Sequence, residues 1–81
     1  MAPYILGWVD ISRAQYATLR SDLQHLIDLR VADLLDDPGG PGCHEDPGSG
    51  QWTTTDQTGA GVILYTFHPD LPRVVILRLI Y

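Results

Sequence analysis

Two runs rich in β-branched and aromatic residues, Val62–Phe67 and Arg73–Tyr81, flank the short connection His68-Pro69-Asp70-Leu71-Pro72. The pattern predicts a hairpin that gives the rest of the chain a surface to pack on. In the second run, strict alternation would put Val74, Ile76, Arg78 and Ile80 on one face and Val75, Leu77, Leu79 and Tyr81 on the other. Both faces are apolar apart from Arg78, the signature of an interior strand covered on both sides. A guanidinium in such a strand needs a carboxylate, a ligand or a route to water, because it cannot shed its proton and its desolvation is costly. The plainer alternative is an arginine that snorkels to solvent near the strand end.

Upstream, Pro3–Val9 reads as a first strand, with Tyr4, Leu6 and Trp8 on one side. Two Ser-x-x-Gln sequences follow, Ser12–Gln15 and Ser21–Gln24, and each has the form of a capping box. They predict a short helix over Ser12–Arg20 and a longer one over Ser21–Asp36, or one continuous helix. On the longer helix Leu23, Leu26, Ile27, Arg30, Val31, Leu34 and Leu35 recur at three- and four-residue spacing, as a stripe packed on a sheet would. Asp33 lies one turn beyond Arg30 and is its expected ion-pair partner. His25 is expected on the surface.

The pattern breaks at Asp36. The segment Asp36–Gln51 holds three prolines and five glycines and predicts a long, flexible surface loop. Its Cys43-His44-Glu45-Asp46 run carries ligand-type side chains, but no second Cys/His pair stands at zinc-site spacing, so no metal is expected. A strand over Gln51–Asp56 and a turn over Gln57–Gly61 complete the chain. No Gly-Lys-Ser/Thr follows these glycines and the next element is a strand, so they do not form a phosphate loop. The resulting order is β-α-α-β-β-β, an α+β domain spanning 1–81 with an antiparallel C-terminal meander packed against two helices.

Composition narrows the choice of partner. The 81 residues carry ten acidic and five basic side chains, a formal charge of −5, and every basic residue is arginine. Such a balance repels phosphate backbones at long range, although converging arginines such as Arg30, Arg73 and Arg78 would make a local positive site. A single cysteine cannot form an internal disulfide, and no apolar run approaches the roughly 20 residues that span a bilayer. The expectation is a cytoplasmic protein that uses neither membrane nor cofactor. Its core is small, and binding to a partner or dimerisation would add stability.

In this order, and with these residues, the chain resembles the RelE/ParE superfamily of bacterial toxin–antitoxin toxins, the YoeB-like branch in particular. The points of likeness are Leu34-Leu35-Asp36-Asp37-Pro38 closing the helical pair, Gly50-Gln51-Trp52, the Val62-Ile63-Leu64-Tyr65 strand, and a last strand running to Tyr81. The resemblance implies a small α+β toxin, held inactive by a cognate antitoxin, that cuts messenger RNA at the ribosome or, in the ParE branch, inhibits DNA gyrase. Tyr81 matches the final tyrosine of the YoeB-like pattern. Ile80 stands where that pattern has histidine, Val62 where it has arginine, and Glu45 lies in the loop where it has a catalytic glutamate.

Cleavage of RNA through its 2′-hydroxyl requires one group to take a proton, one to deliver a proton, and positive charge on the phosphorane. Arg78 and Arg73 can supply the charge, His68 or Glu45 can handle protons, and Tyr81 can stack on a base. Three readings compete: a ribosome-dependent endoribonuclease that inhibits translation, a non-enzymatic binder of a target such as gyrase, and a catalytically silent interaction domain.

Overall fold

The computed structural model describes residues 4–81. Pro3, the expected start of the first strand, lies outside the described residues. The chain runs β1 (Ile5–Trp8), α1 (Asp10–Thr18), α2 (Ser21–Asp36), β2 (His44–Glu45), β3 (Trp52–Thr55), β4 (Val62–His68) and β5 (Arg73–Ile80). One five-stranded sheet has the order β1-β5-β4-β3-β2, with β1 parallel to β5 and the other neighbours antiparallel. The α+β order with its C-terminal meander is the one the sequence predicts. The addition is β2, where His44 and Glu45 of the Gly/Pro-rich segment pair with Thr53 and Trp52 as a short edge strand.

The core lies between the helices and one face of the sheet. Ile27, Val31 and Leu34 of α2 meet Ile63 and Tyr65 of β4 and Val74, Ile76 and Leu79 of β5, all at most 5% exposed. Trp8, Leu35, Trp52 and Phe67 are half-buried around this cluster, and Trp52 and Phe67 pack with ring centroids 5.2 Å apart. Ile27, Val31 and Leu34 belong to the α2 stripe that periodicity singles out, whereas Leu79 joins Val74 and Ile76 against the alternation expected for β5.

Two expectations for β5 are corrected. The register shifts between the pairs Tyr65↔Ile76 and Leu64↔Arg78, leaving Leu77 as an extra residue in a β-bulge. After the bulge the alternation changes phase: Val74, Ile76 and then Leu79 face the helices, whereas Arg78 and Ile80 are exposed. The second correction concerns cover, since both helices pack on the same side and, among the described residues, no element covers the other face of the sheet. Arg78 therefore reaches water directly, with no desolvation to offset.

The two Ser-x-x-Gln sequences also act differently from caps. Val9 and Arg20 occupy the N-cap positions, and neither makes a side-chain cap bond. Ser12 instead lies buried inside α1, where its hydroxyl is 3.0 Å from the Val9 carbonyl and 2.6 Å from the Ile76 carbonyl. Gln15 bonds both backbone groups of Leu79, its amide donating to the carbonyl and its oxygen accepting from the N–H, each at 2.8 Å. It takes the place of a neighbouring strand at the point on β5 where β1 has ended. Gln24 donates to the Tyr16 carbonyl and ties α2 to α1. A buried sheet carbonyl without a partner costs more than a solvated helix end, which explains the side chains' choice.

The 37–51 segment is fastened at several points. Tyr65 donates its buried hydroxyl to the Pro38 carbonyl. Arg30 donates to Thr54 Oγ1 at 2.7 and 3.0 Å, to the Pro41 carbonyl at 3.1 Å and to Cys43 Sγ at 3.4 Å. Thr54 in turn donates to the Gly42 carbonyl. Arg30 also meets Asp33 at 3.5 Å, the ion pair expected from their spacing.

Candidate functional site

The open face of the sheet follows from the register. Moving across from β5, Arg78 pairs with Leu64, Leu64 with Thr53, and Thr53 with His44. At the other end of the hairpin Arg73 pairs with both His68 and Ile5. Between these rows lie Val75, Thr66 and Gly7, and at the far end Ile80, Val62 and Thr55. None of these positions is acidic, although the protein as a whole carries −5. Exposed apolar side chains stand at its two ends, Ile5 62% exposed in the Arg73 row and Ile80 55% exposed beyond Arg78.

Three of the residues singled out from sequence, Arg73, Arg78 and His68, thus share this face. His68 and Arg73 are direct cross-strand neighbours, close enough to act on one group. Arg78 is five residues along the same strand, roughly 16 Å at about 3.3 Å per residue. Arg30 does not join them, because it points to the helix side and fastens the loop there.

Glu45 and Tyr81 lie elsewhere. Glu45 is exposed on the far edge strand and pairs with Trp52, a helix-side residue, so it is separated from β5 by β3 and β4. Tyr81 follows Leu79 in the alternation and reaches the helix side of the sheet. Its hydroxyl donates to Asp56 Oδ2 at 2.5 Å. Asp56 is only 3% exposed and accepts at Oδ1 from the Thr58 backbone N–H at 2.8 Å and the Thr58 hydroxyl at 2.6 Å. Desolvation works against the Asp56 carboxylate, but the bonds from Thr58 and Tyr81 prevail and hold its pKa below the ordinary value. Burial, with the Asp56 carboxylate alongside, pushes the Tyr81 phenol up.

Two parts of this arrangement have little local signal in the sequence. His44 enters the Arg78 row only because β2 forms, and its sole local signal is the ligand-rich run around it. Asp56 is marked by Asp56-Gln57-Thr58, a side-chain-capped turn, but nothing local connects it with Tyr81, 25 residues away. Two grooves, of about 350 and 330 Å³, involve the helix layer: one is lined by Leu6, Trp8 and Tyr16, the other by Arg30 and Thr54. Neither groove is lined by Arg73, Arg78 or His68.

Among the described residues, no group of three His, Cys, Asp or Glu side chains is placed to hold a metal ion, and no helix is long and apolar enough to cross a membrane. No family model matches the chain, and no curated protein matches it. Solved structures do. The isolated E. coli RelE toxin superposes with a TM-score of 0.83 at 10% identity, covering 95% of this chain and 82% of that one. The toxin–antitoxin complex RelBE2 of Mycobacterium tuberculosis gives 0.80 at 20% identity, over 98% of both chains. The chain has a RelE-like fold. The intact E. coli RelBE toxin–antitoxin complex is a third structural neighbour, with a TM-score of 0.73 at 13% identity over 95% of this chain and 94% of that one.

Proposed function

We propose that this RelE-like chain is the toxin of a bacterial type II toxin–antitoxin module and that the open sheet face is its working surface. The observation that carries the reading is that Arg73, Arg78 and His68 share the uncovered face of a fold that matches RelBE2 over 98% of both chains. A patch of this kind concentrates anionic ligand locally even on an acidic body. Arginines roughly 16 Å apart match phosphates two or three nucleotides apart on an extended strand, and the uncharged stretch between them, Val75, Thr66 and Gly7, can receive bases. Messenger RNA at the ribosome is the proposed target, and a cognate antitoxin is the proposed partner that keeps the face from it. A YoeB-like assignment is part of the proposal, and the strand that runs to Tyr81 supports it.

In this reading Arg73 and Arg78 bind phosphate, and His68, beside Arg73, is the group that moves a proton. Phosphate bound to Arg73 lies within reach of the imidazole, which is the geometry general acid–base work requires. A second reading, a toxin that binds its target through this face without cutting, is favoured by the distance of Glu45 and Tyr81 from that pair. Regulated expression in a bacterium, read separately for translation, messenger-RNA cleavage and DNA supercoiling, decides between them. The nuclease reading expects growth arrest with new RNA ends, abolished by Arg73→Gln or His68→Gln. Arrest without new ends, still sensitive to Arg73→Gln, favours the binder. A change in supercoiling points to gyrase.

A further inference from the structure

The Tyr81 side chain sits in a built seat. Its hydroxyl is bonded to Asp56, itself buried and fixed by two further bonds from Thr58. Its ring lies flat against Gly61: a Cβ built on Gly61 would fall well inside van der Waals contact, and the three nearest atoms it would meet all belong to that ring. Gly61 is not among the glycines with positive φ, so the missing side chain here serves the ring and not the backbone. The β3–β4 turn thus supplies both halves of the seat, the carboxylate from one end and the flat backbone from the other.

We infer that Asp56 and Gly61 form a latch that holds Tyr81 on the helix side of the sheet, withheld from the face that bears Arg78. The bulge at Leu77 precedes Arg78, so it does not bring the two residues together; regular alternation from Arg78 to Tyr81 leaves them on opposite faces. Tyr81 lies one residue beyond the end of β5 at Ile80, so its side chain can leave the seat without breaking a sheet bond. In the latched position the phenol neither stacks on a ligand of the open face nor gives it a proton. Released, it swings around the strand end toward the Ile80–Val62 row. The device supplies a second position for the aromatic side chain three residues beyond Arg78, and it rests on the proposed function only for its biological consequence.

Two variants separate the latch from its surroundings. Gly61→Ala adds a methyl group that meets the ring, and Asp56→Asn keeps the shape of the carboxylate while removing its charge. The position of the ring is read by NMR on protein with labelled tyrosine, Tyr81→Phe serving to assign the signals. In the parent, Tyr81 ring protons should contact the Gly61 α-protons and the phenol should ionise above its usual pH near 10. Gly61→Ala should abolish that contact and Asp56→Asn should return the ionisation toward the usual value, both with core signals unchanged. Loss of a charge-assisted bond should raise the released fraction roughly tenfold or more. A parent ring without contact to Gly61, or variants whose ring and ionisation match the parent, would overturn the latch. In the expression assay, release should strengthen growth arrest in Gly61→Ala, and Tyr81→Phe added to it should remove the gain. Arrest that is unchanged or weaker on release would show that the seat does not withhold Tyr81, and overturns the inference. If NMR reports release while parent and variants alike leave growth untouched, the latch stands and the toxin reading falls.

Discussion

The two faces of this sheet are made by the same strands and behave as different materials. On the helix side Ile63, Tyr65, Val74 and Ile76 are fully buried, and polar groups such as Asp56 and Ser12 are held by hydrogen bonds. On the other side Arg78 and Ile80 stand in solvent beside half-buried Val62 and Leu64. Burial is what turns an apolar residue into stability, so the first face holds the fold and the second is free for other work. Alternation at period two lets neighbouring residues serve these separate ends, and the bulge at Leu77 resets which residues serve which.

The contrast is most sharply broken or upheld by matched core and surface changes. Leu34→Asp buries a charge beside Ile27 and Val31 and should abolish cooperative unfolding altogether, as followed by circular dichroism on heating. Ile76→Ala should cost about 2–5 kcal/mol through the cavity it leaves. Ile80→Ala, four residues on and more than half exposed, should cost less than about 1 kcal/mol, both variants being compared with the parent by urea titration. Equal costs would mean that the open face is covered in solution.

A smaller effect is expected at the loop. Arg30→Ala removes the bonds to Thr54, the Pro41 carbonyl and Cys43, and should cost roughly 1–3 kcal/mol while hastening amide exchange across residues 39–45. Exchange as slow as in the parent would assign the fastening of this segment to Tyr65 and Thr54 alone.

The Asp56–Tyr81 pair adds a dependence on pH that the open face lacks. Asp56 has a folded pKa below its unfolded value near 4, so its contribution is present above that value and lost as the pH falls through the folded one. Tyr81 has a folded pKa above its unfolded value near 10; its contribution is complete below pH 10 and lost as the pH rises through the folded value. Asp56→Asn should therefore flatten both the acid and the alkaline shoulders of a melting-temperature profile. Unaltered shoulders would show that the pair is open in solution.

The least perturbing changes are the ones the proposed function most depends on. Arg73→Gln and Arg78→Gln, both at exposed positions, should shift stability by no more than about 0.5 kcal/mol. Retained melting temperature with lost growth arrest would separate the two faces cleanly.

Much of this was legible in the chain. The three- and four-residue spacing of Ile27, Val31 and Leu34, and the β-branched runs of β4 and β5, are local signals, and they led to the α+β order with helices on the meander. Arg73, Arg78 and His68 stood out because charged and titratable groups are conspicuous in strands otherwise apolar. Their placement on one face was beyond reach, since a single extra residue inverts the alternation of everything after it. The Ser-x-x-Gln sequences looked like helix caps because capping is the local use of serine, whereas the β5 carbonyl that competes for Ser12 is 64 residues away. The glycines and prolines of residues 36–51 describe the freedom of an isolated segment, and the contacts with Arg30, Thr54 and Tyr65 that fasten it come from other elements.

What the sequence by itself determined, then, is whatever depends on neighbours within a helical turn or along a strand: the elements, their apolar stripes and the charge each carries. The open face, the row joining Arg78 to His44, the loop's fastening and the seat of Tyr81 were decided only by tertiary structure. Each depends on which strands lie side by side and in what register, and that is settled by burying the whole core at once.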